Sequence, residues 1–274
     1  MQVEGTALVT GASRGIGWAV ALELAGRGFD VVATMRRPAD GEALLKRARG
    51  LPGRVSVARL DVTDPRSIEI PDDLSVLVNN AGIEGPYLPV EAAPLPVWRE
   101  IFETNLFGLI EVTQRALPVL RERGAGVICN VTSCSILVPM PLFAAYRASK
   151  AAVSALGESL RAEVAGLGIR IVEIQPGAIV TDMLEGSQRL PEASQVPAYR
   201  ALAQRVFETR SGVGDQVTQP ADAARAIVDA VLDDNAPLRN ACDPMGAGLL
   251  SAWRASDDET MMSGMLSLFA GESS

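Results

Sequence analysis

Apolar residues fall along this chain in two alternating rhythms. Short runs rich in β-branched residues recur at Ala7 to Thr10, Val31 to Thr34, Val55 to Leu60, Val76 to Val78, Val127 to Val131 and Ile169 to Gln175, and runs of that length and composition predict strands. Between them the apolar positions take a helical period, at Ile16 to Gly26, Gly41 to Arg49, Val97 to Arg123 and Tyr146 to Gly166. Alternation of strand and helix implies a parallel sheet covered on both faces. The expectation is an α/β protein with a single doubly wound domain over residues 1–274.

Two stretches break the rhythm. Between Asp61 and Asn79, Pro65, Pro71, Asp72 and Asp73 leave room for a turn or two of helix rather than a full crossover. From Thr181 to Pro220 the strand pattern is absent and Gly186, Pro191, Pro197, Gly212 and Gly214 punctuate the chain, as in a lid-like substrate loop with short helices. Pro220 to Asp234 reads as another amphipathic helix. The last forty residues carry little pattern beyond the Met-rich stretch Met261 to Phe269, expected either to pack on the core or to meet another subunit.

With 274 residues, 48% of them apolar, the chain has enough material for one large core. A formal net charge of −8 argues against a nucleic-acid partner, which needs Lys and Arg to neutralise phosphates. Histidine is absent, which excludes a Ser-His-Asp triad, an imidazole base and a histidine-bound metal; no metal is expected. Cys129, Cys134 and Cys242 are an odd, sparse set that fits thiols in a reducing cytoplasm. The N-terminus runs into a strand pattern without a basic leader, and no run approaches the roughly 20 apolar residues of a membrane span. A cytoplasmic location without a membrane span is expected.

Candidate chemistry begins where the first strand turns into the first helix. Gly11, Ser13, Arg14, Gly15, Ile16 and Gly17 form a glycine-rich turn whose amides and helix dipole would face a pyrophosphate, although a plain strand-to-helix turn has the same composition. In dinucleotide-binding folds an acidic residue roughly 20 positions on holds the adenosine ribose. Met35 stands there instead, followed by Arg36 and Arg37, and with Arg14 these offer guanidinium groups to a 2′-phosphate. NADP(H) is therefore favoured, NAD(H) remaining possible; the alternative is that the arginines are solvated surface charges.

Ser133 follows a strand, and Tyr146 and Lys150 stand four apart, on one face of one helix. A free phenol, with a pKa near ~10, exchanges protons poorly at neutrality; a nearby ammonium and a nicotinamide cation would lower it. Ser133 would hold the substrate oxygen while Tyr146 supplies the proton. The spacing of Tyr146 and Lys150 alone also occurs on ordinary helix surfaces.

Taken in order, Thr10-Gly-Ala-Ser-Arg-Gly-Ile-Gly17, Asp61-Val62, Asn79-Asn-Ala-Gly82, Asn105, Ser133, Tyr146-Arg-Ala-Ser-Lys150 and Pro176-Gly177 resemble the short-chain dehydrogenase/reductase family over nearly the full length. The resemblance implies a Rossmann-type fold and a catalytic set of Asn105, Ser133, Tyr146 and Lys150, with Asn105 holding a water that relays protons to Lys150. It implies that Tyr146 and Lys150 bind the nicotinamide ribose and that Asp61 and Val62 meet the adenine. Asn79, Ala81 and Gly82 would line the cofactor cleft, and Pro176, Gly177, Ile179 and Thr181 would lie at the carboxamide end.

On the family layout Ser135, Leu137, Val138, Phe143, Ala178 and Met183 flank the reacting oxygen, which implies a hydrophobic ketone or secondary alcohol; ordinary core packing is the alternative for each of them. The helices at Val97 to Arg123 and Tyr146 to Gly166 correspond to those that pair between subunits, so a homodimer or homotetramer is expected. The run at residues 33 to 36 and the extension beyond Asn235 resemble the hydroxysteroid and retinol dehydrogenase branch. The rival readings are a non-catalytic dinucleotide sensor that binds a protein partner, and an enoyl reductase or sugar epimerase of related fold.

Overall fold

The computed structural model describes residues 3–212 and 217–269; Gly214, one of the breaks read in the loop, lies outside the described residues. Six strands form where the sequence pattern places them: β1 (Thr6–Val9), β2 (Asp30–Met35), β3 (Val55–Arg59), β4 (Leu74–Asn79), β5 (Gly126–Val131) and β6 (Ile169–Ile174). A seventh, β7 (Arg239–Asn240), was not expected, because two polar residues carry no periodic signal. The sheet is parallel throughout, in the order β3-β2-β1-β4-β5-β6-β7. The chain starts at β1, builds outward through β2 and β3, then returns to β4. The order therefore reverses between β1 and β4, the place where a doubly wound sheet opens a crevice for a ligand.

Strand side chains alternate between faces, and the two faces meet different helices. Ala7, Val9, Val76, Val78, Val127, Cys129, Val172 and Ile174 pack with α1 (Gly15–Gly26) and α8 (Pro220–Leu232). Leu8, Leu77, Ile128 and Ile171 pack on the other side with Val112, Ala116 and Leu120 of α4 (Gly108–Arg123) and with Leu160 and Val164 of α5 (Ala144–Val164). A short helix, α2 (Glu42–Arg47), follows β2, and a single tight turn, Pro65–Ser67, replaces the crossover before β4, as the prolines required.

The long helix expected over Val97 to Arg123 is a composite. It runs as α3 (Leu95–Phe102), then a π-turn, Glu103–Phe107, then α4. Between 181 and 220 lie α6 (Asp182–Ser187) and α7 (Arg200–Ser211), and the C-terminal part forms α9 (Pro244–Ala255) and α10 (Asp258–Phe269). The Met-rich stretch is α10, and it packs on its own chain: Phe269 is buried with Met265 against Ala203 and Val206 of α7, and its carbonyl accepts from Arg205 Nε at 2.8 Å.

Candidate active site

The end of β4 is fastened to the glycine turn. Thr10 Oγ1 accepts the N–H groups of Asn80 and Ala81 at 3.0 Å each, while Asn80 Nδ2 donates to the carbonyls of Thr10 and Gly11 at 2.9 and 3.1 Å. Gly11 has φ +66°, and a Cβ there would come 2.9 Å from Ala81 Cα, so the position requires glycine twice over. Beyond it α1 starts at Gly15 with no side-chain cap and no acidic residue in its first turn. Its first amides thus remain open to an anion, with the positive end of the helix dipole behind them. Thr181 stands across the turn, its Cγ2 3.1 Å from where a Gly15 Cβ would lie, and its hydroxyl caps α6 by accepting from Leu184 N–H at 3.3 Å. Ser13 and Ile16 are half-buried in the turn.

Asn79 corrects an expectation. Its side chain does not line the cleft: Nδ2 donates to Thr113 Oγ1 and Asn130 Oδ1, both at 3.0 Å, inside the core. Successive strand residues point to opposite sides, so Asn80 takes the place at the turn. Asp61 accepts from the N–H and hydroxyl of Thr63 at 3.0 and 2.8 Å, and Val62 is buried against Gly108 of α4.

At the end of β2 Met35 is buried and Arg36 and Arg37 are exposed. Two of the three expected phosphate-binding arginines have partners here: Arg14 pairs with Asp182 at 2.6 Å and Arg37 with Asp40 at 3.0 Å. Both pairs are largely solvent-exposed, so little free energy holds them. Arg36 has no ion pair among the described residues.

Tyr146 and Lys150 lie one turn apart on α5, both buried. Lys150 Nζ donates to the carbonyl of Val131, at the end of β5, at 2.8 Å and lies 5.9 Å from the Tyr146 ring centroid. Ser133 opens a short turn, Cys134–Leu137, by accepting the Ser135 N–H at 3.1 Å, and its hydroxyl hydrogen-bonds the Tyr146 phenol. Asn105, inside the π-turn, uses its whole side chain: Oδ1 accepts from Ile83 N–H at 2.8 Å, and Nδ2 donates to Ile83 O at 2.9 Å and Ser149 Oγ at 3.1 Å. A Cβ at Gly82 would lie 3.3 Å from Asn105 Oδ1 and 3.4 Å from Lys150 Nζ. Asn105 and Lys150 thus meet at Gly82, and Ser133 and Tyr146 adjoin that lysine from the other end of its helical turn.

Electrostatics in the protein alone reverse one expectation. Burial, reinforced by the Glu84 charge, raises the Tyr146 phenol above the ordinary tyrosine value; only the Ser133 hydrogen bond and Arg210 oppose it. Lys150 is pushed down to about 8, chiefly by burial, with Glu84 and Glu173 working to keep its proton. Burial penalises the ionised form of both groups. Glu173, buried on β6, accepts from Thr132 Oγ1, Ser154 Oγ and Gln175 Nε2 at 2.9, 2.8 and 3.0 Å, a network beneath the lysine.

The expected substrate-flanking residues separate into distinct surroundings. Phe143 is buried beside Tyr146, its ring 4.5 Å from that of Tyr87. Leu137 packs instead with Cys134 and Leu250 of α9. Ser135 Oγ is buried without a partner among the described residues, Val138 is half-buried, Ala178 is buried and pairs its carbonyl with Thr218 N–H, and Met183 is exposed on α6. Pro176 accepts from Cys134 N–H at 2.9 Å; Gly177 N–H donates to Asp243 Oδ2 at 2.6 Å; and Ile179 is core.

Three side chains near Tyr146 were missed: Glu84, Tyr87 and Arg210. The first two follow the Asn79–Gly82 motif closely enough to have been considered. Arg210 arrives from α7, and no local spacing announces it.

Residues 5–190 match the family model for short chain dehydrogenase. The chain is 35% identical over 259 residues to an uncharacterized oxidoreductase, YusZ, of Bacillus subtilis, which covers 89% of each chain. A short-chain dehydrogenase structure from Streptomyces avermitilis superposes with a TM-score of 0.77 at 31% identity, over 96% of this chain and 95% of that one. One from Burkholderia cenocepacia, solved in complex with NADP, gives 0.72 at 26% identity over 99% and 100%.

Proposed function

The chain belongs to the short-chain dehydrogenase family and is one of its oxidoreductases, and from that premise we propose that it moves hydride between NADP(H) and a hydrophobic ketone or secondary alcohol, with Tyr146 as general acid and base. One observation carries the reading. Consecutive residues at the end of β4 touch both halves of the site: Ala81 lies against Gly11 of the glycine turn, and Gly82 lies against Asn105 and Lys150. A dinucleotide phosphate held at the turn would thus be connected through two residues to Lys150, one helical turn from the proton donor.

The residues present fit such a cofactor. The uncapped start of α1 and the glycine cradle would hold the pyrophosphate, and Thr181 would close over it. Arg36, without an ion pair among the described residues, would meet a 2′-phosphate, with Arg14 joining once released from Asp182; no carboxylate closes β2 to favour a free ribose hydroxyl. The NADP complex of the Burkholderia cenocepacia structure, beside an NAD complex of one from Burkholderia phymatum, supports a nicotinamide dinucleotide, and the arginines carry the preference for NADP(H). When bound, the nicotinamide supplies or accepts hydride.

The chain's own residues handle the oxygen and the proton. Ser133 orients the substrate oxygen beside the Tyr146 phenol, which gives its proton during reduction and takes one during oxidation. In reduction a neutral phenol is the required form, and the burial that raises the Tyr146 pKa maintains it. Lys150 holds a replacement proton at Nζ. The π-turn displaces the backbone around Asn105 from the regular helical ladder, so its carbonyl, rather than its committed side chain, would hold the relay water. The reading carries with it a homodimer or homotetramer paired through α4 and α5, which light scattering tests.

Tyr146→Phe keeps the ring and removes the proton. It should lower NADPH-dependent ketone reduction by about 10²- to 10⁴-fold while calorimetric NADPH binding persists. Undiminished turnover would refute the assignment.

A further inference from the structure

One carboxyl near the reacting centre has no task in hydride transfer. Glu84 lies two residues beyond Gly82, half-buried, and its charge acts on Tyr146, Lys150 and Arg210. Its Oε2 accepts from the Tyr87 phenol at 2.6 Å; Oε1 has no hydrogen bond among the described residues. Its aromatic neighbour Tyr87 packs tilted against Phe143, and both cluster with Leu142 and Tyr146. That second carboxyl oxygen is free to accept from a bound molecule.

Arg210 supplies the complement. It reaches in from α7, with its guanidinium 4.6 Å over the Phe143 ring. Nε and Nη2 are bound to the carbonyl and hydroxyl of Ser187, and Nη1 has no partner among the described residues. Glu84 and Arg210 attract each other electrostatically but form no ion pair. Each therefore keeps one open polar position: an acceptor on Glu84 and a donor on Arg210.

We propose that Glu84 and Arg210 form a second polar subsite beside Tyr146, and that the substrate is a carbonyl compound bearing a hydroxyl that donates to Glu84 and accepts from Arg210. An ammonium group would suit Glu84 and be repelled by Arg210; a carboxylate would suit Arg210 and be repelled by Glu84. A neutral hydroxyl answers both. The subsite rests on the hydride-transfer reading above, and it narrows the hydrophobic ketone to one with a second polar handle.

The test compares NADPH-dependent reduction of cyclic ketones with that of the same ketones carrying a ring hydroxyl, an amine or a carboxylate. The hydroxylated member should exceed its parent in kcat/KM by roughly ten- to hundredfold, through KM more than kcat, and the charged members should fall below it. Within Glu84→Gln, and separately within Arg210→Met, the ratio of hydroxylated to parent ketone should collapse toward unity. Taking the ratio inside each variant removes any change common to both substrates, and the second variant serves if the first does not fold. Parent ketones turned over as well as hydroxylated ones by the unaltered protein would overturn the subsite alone. No turnover across the whole panel would overturn the hydride-transfer reading as well, and preference for the amine or the carboxylate would overturn the neutral-hydroxyl assignment.

Discussion

The two sides of the cleft are built from different materials. On the side proposed for the cofactor, the groups on offer are mainly backbone: an open helix start, a glycine at φ +66° and a turn clasped by Thr10 and Asn80, all contributed by residues 10–17 and 80–82. On the substrate side the work falls to side chains gathered from far apart, Glu84 and Tyr87 after β4, Phe143 before α5, Arg210 on α7 and Phe269 at the end of α10. A site made of backbone tolerates change in most neighbouring side chains but none at its glycines. The substrate side is open to retuning one residue at a time, which is where relatives of one fold part in specificity.

The strongest way to break the comparison is to place a side chain in the backbone site. Gly11→Val forces a β-branched residue into left-handed backbone and against Ala81. NADPH affinity should fall by about a hundredfold or more, through roughly 2 kcal/mol of strain and lost amide geometry. Calorimetry showing near-normal affinity would mean the turn is not the phosphate site.

Asp243 tests whether the C-terminal part is fastened to the cleft. Its carboxylate takes Gly177 N–H at 2.6 Å and caps α9 by accepting from Gly246 N–H at 2.9 Å. Asp243→Ala leaves a part-buried amide without an acceptor and should cost about 2–3 kcal/mol in chemical denaturation. A loss below roughly 0.5 kcal/mol would show the contact to be incidental.

A smaller effect follows from pH. Lys150, held down to about 8, is an ammonium below that pH and an amine above it. The cation favours a polyanionic cofactor, so binding should weaken as pH rises past about 8, by up to tenfold per unit. Lys150→Met should flatten the profile, and a flat profile in the unaltered protein would remove the lysine from the binding site. The smallest change concerns cofactor choice. Arg36→Ala should reduce the NADPH over NADH preference by roughly fivefold, and Arg14→Ala by less, because Arg14 must first leave Asp182.

The same division explains what could be read in advance. Glycine spacing, strand runs and the Tyr146–Lys150 pair are local patterns, and β1 through β6 appear within a residue or two of their expected bounds. Adjacent asparagines defeated the reading at Asn79, since strand parity alone decides which of two identical side chains faces the cleft and which the core. Arg210 was invisible because it is joined to Phe143 only through the folded chain. The raised Tyr146 pKa escaped because burial is a property of the whole packing, while the sequence displayed only the nearby lysine.

The π-turn at Glu103–Phe107 has one more consequence. A helix advances about 100° per residue, and the wide turn takes up one residue beyond the regular count, so α3 and α4 keep a common phase on either side of it. Delete one residue there and the segment would close into a regular helix, with Thr113 still facing Asn79 and Val112 still on the sheet, while Asn105 would lose its place against Ile83 and Ser149. The surplus residue thus serves the placement of Asn105 and not the packing of the rod behind it.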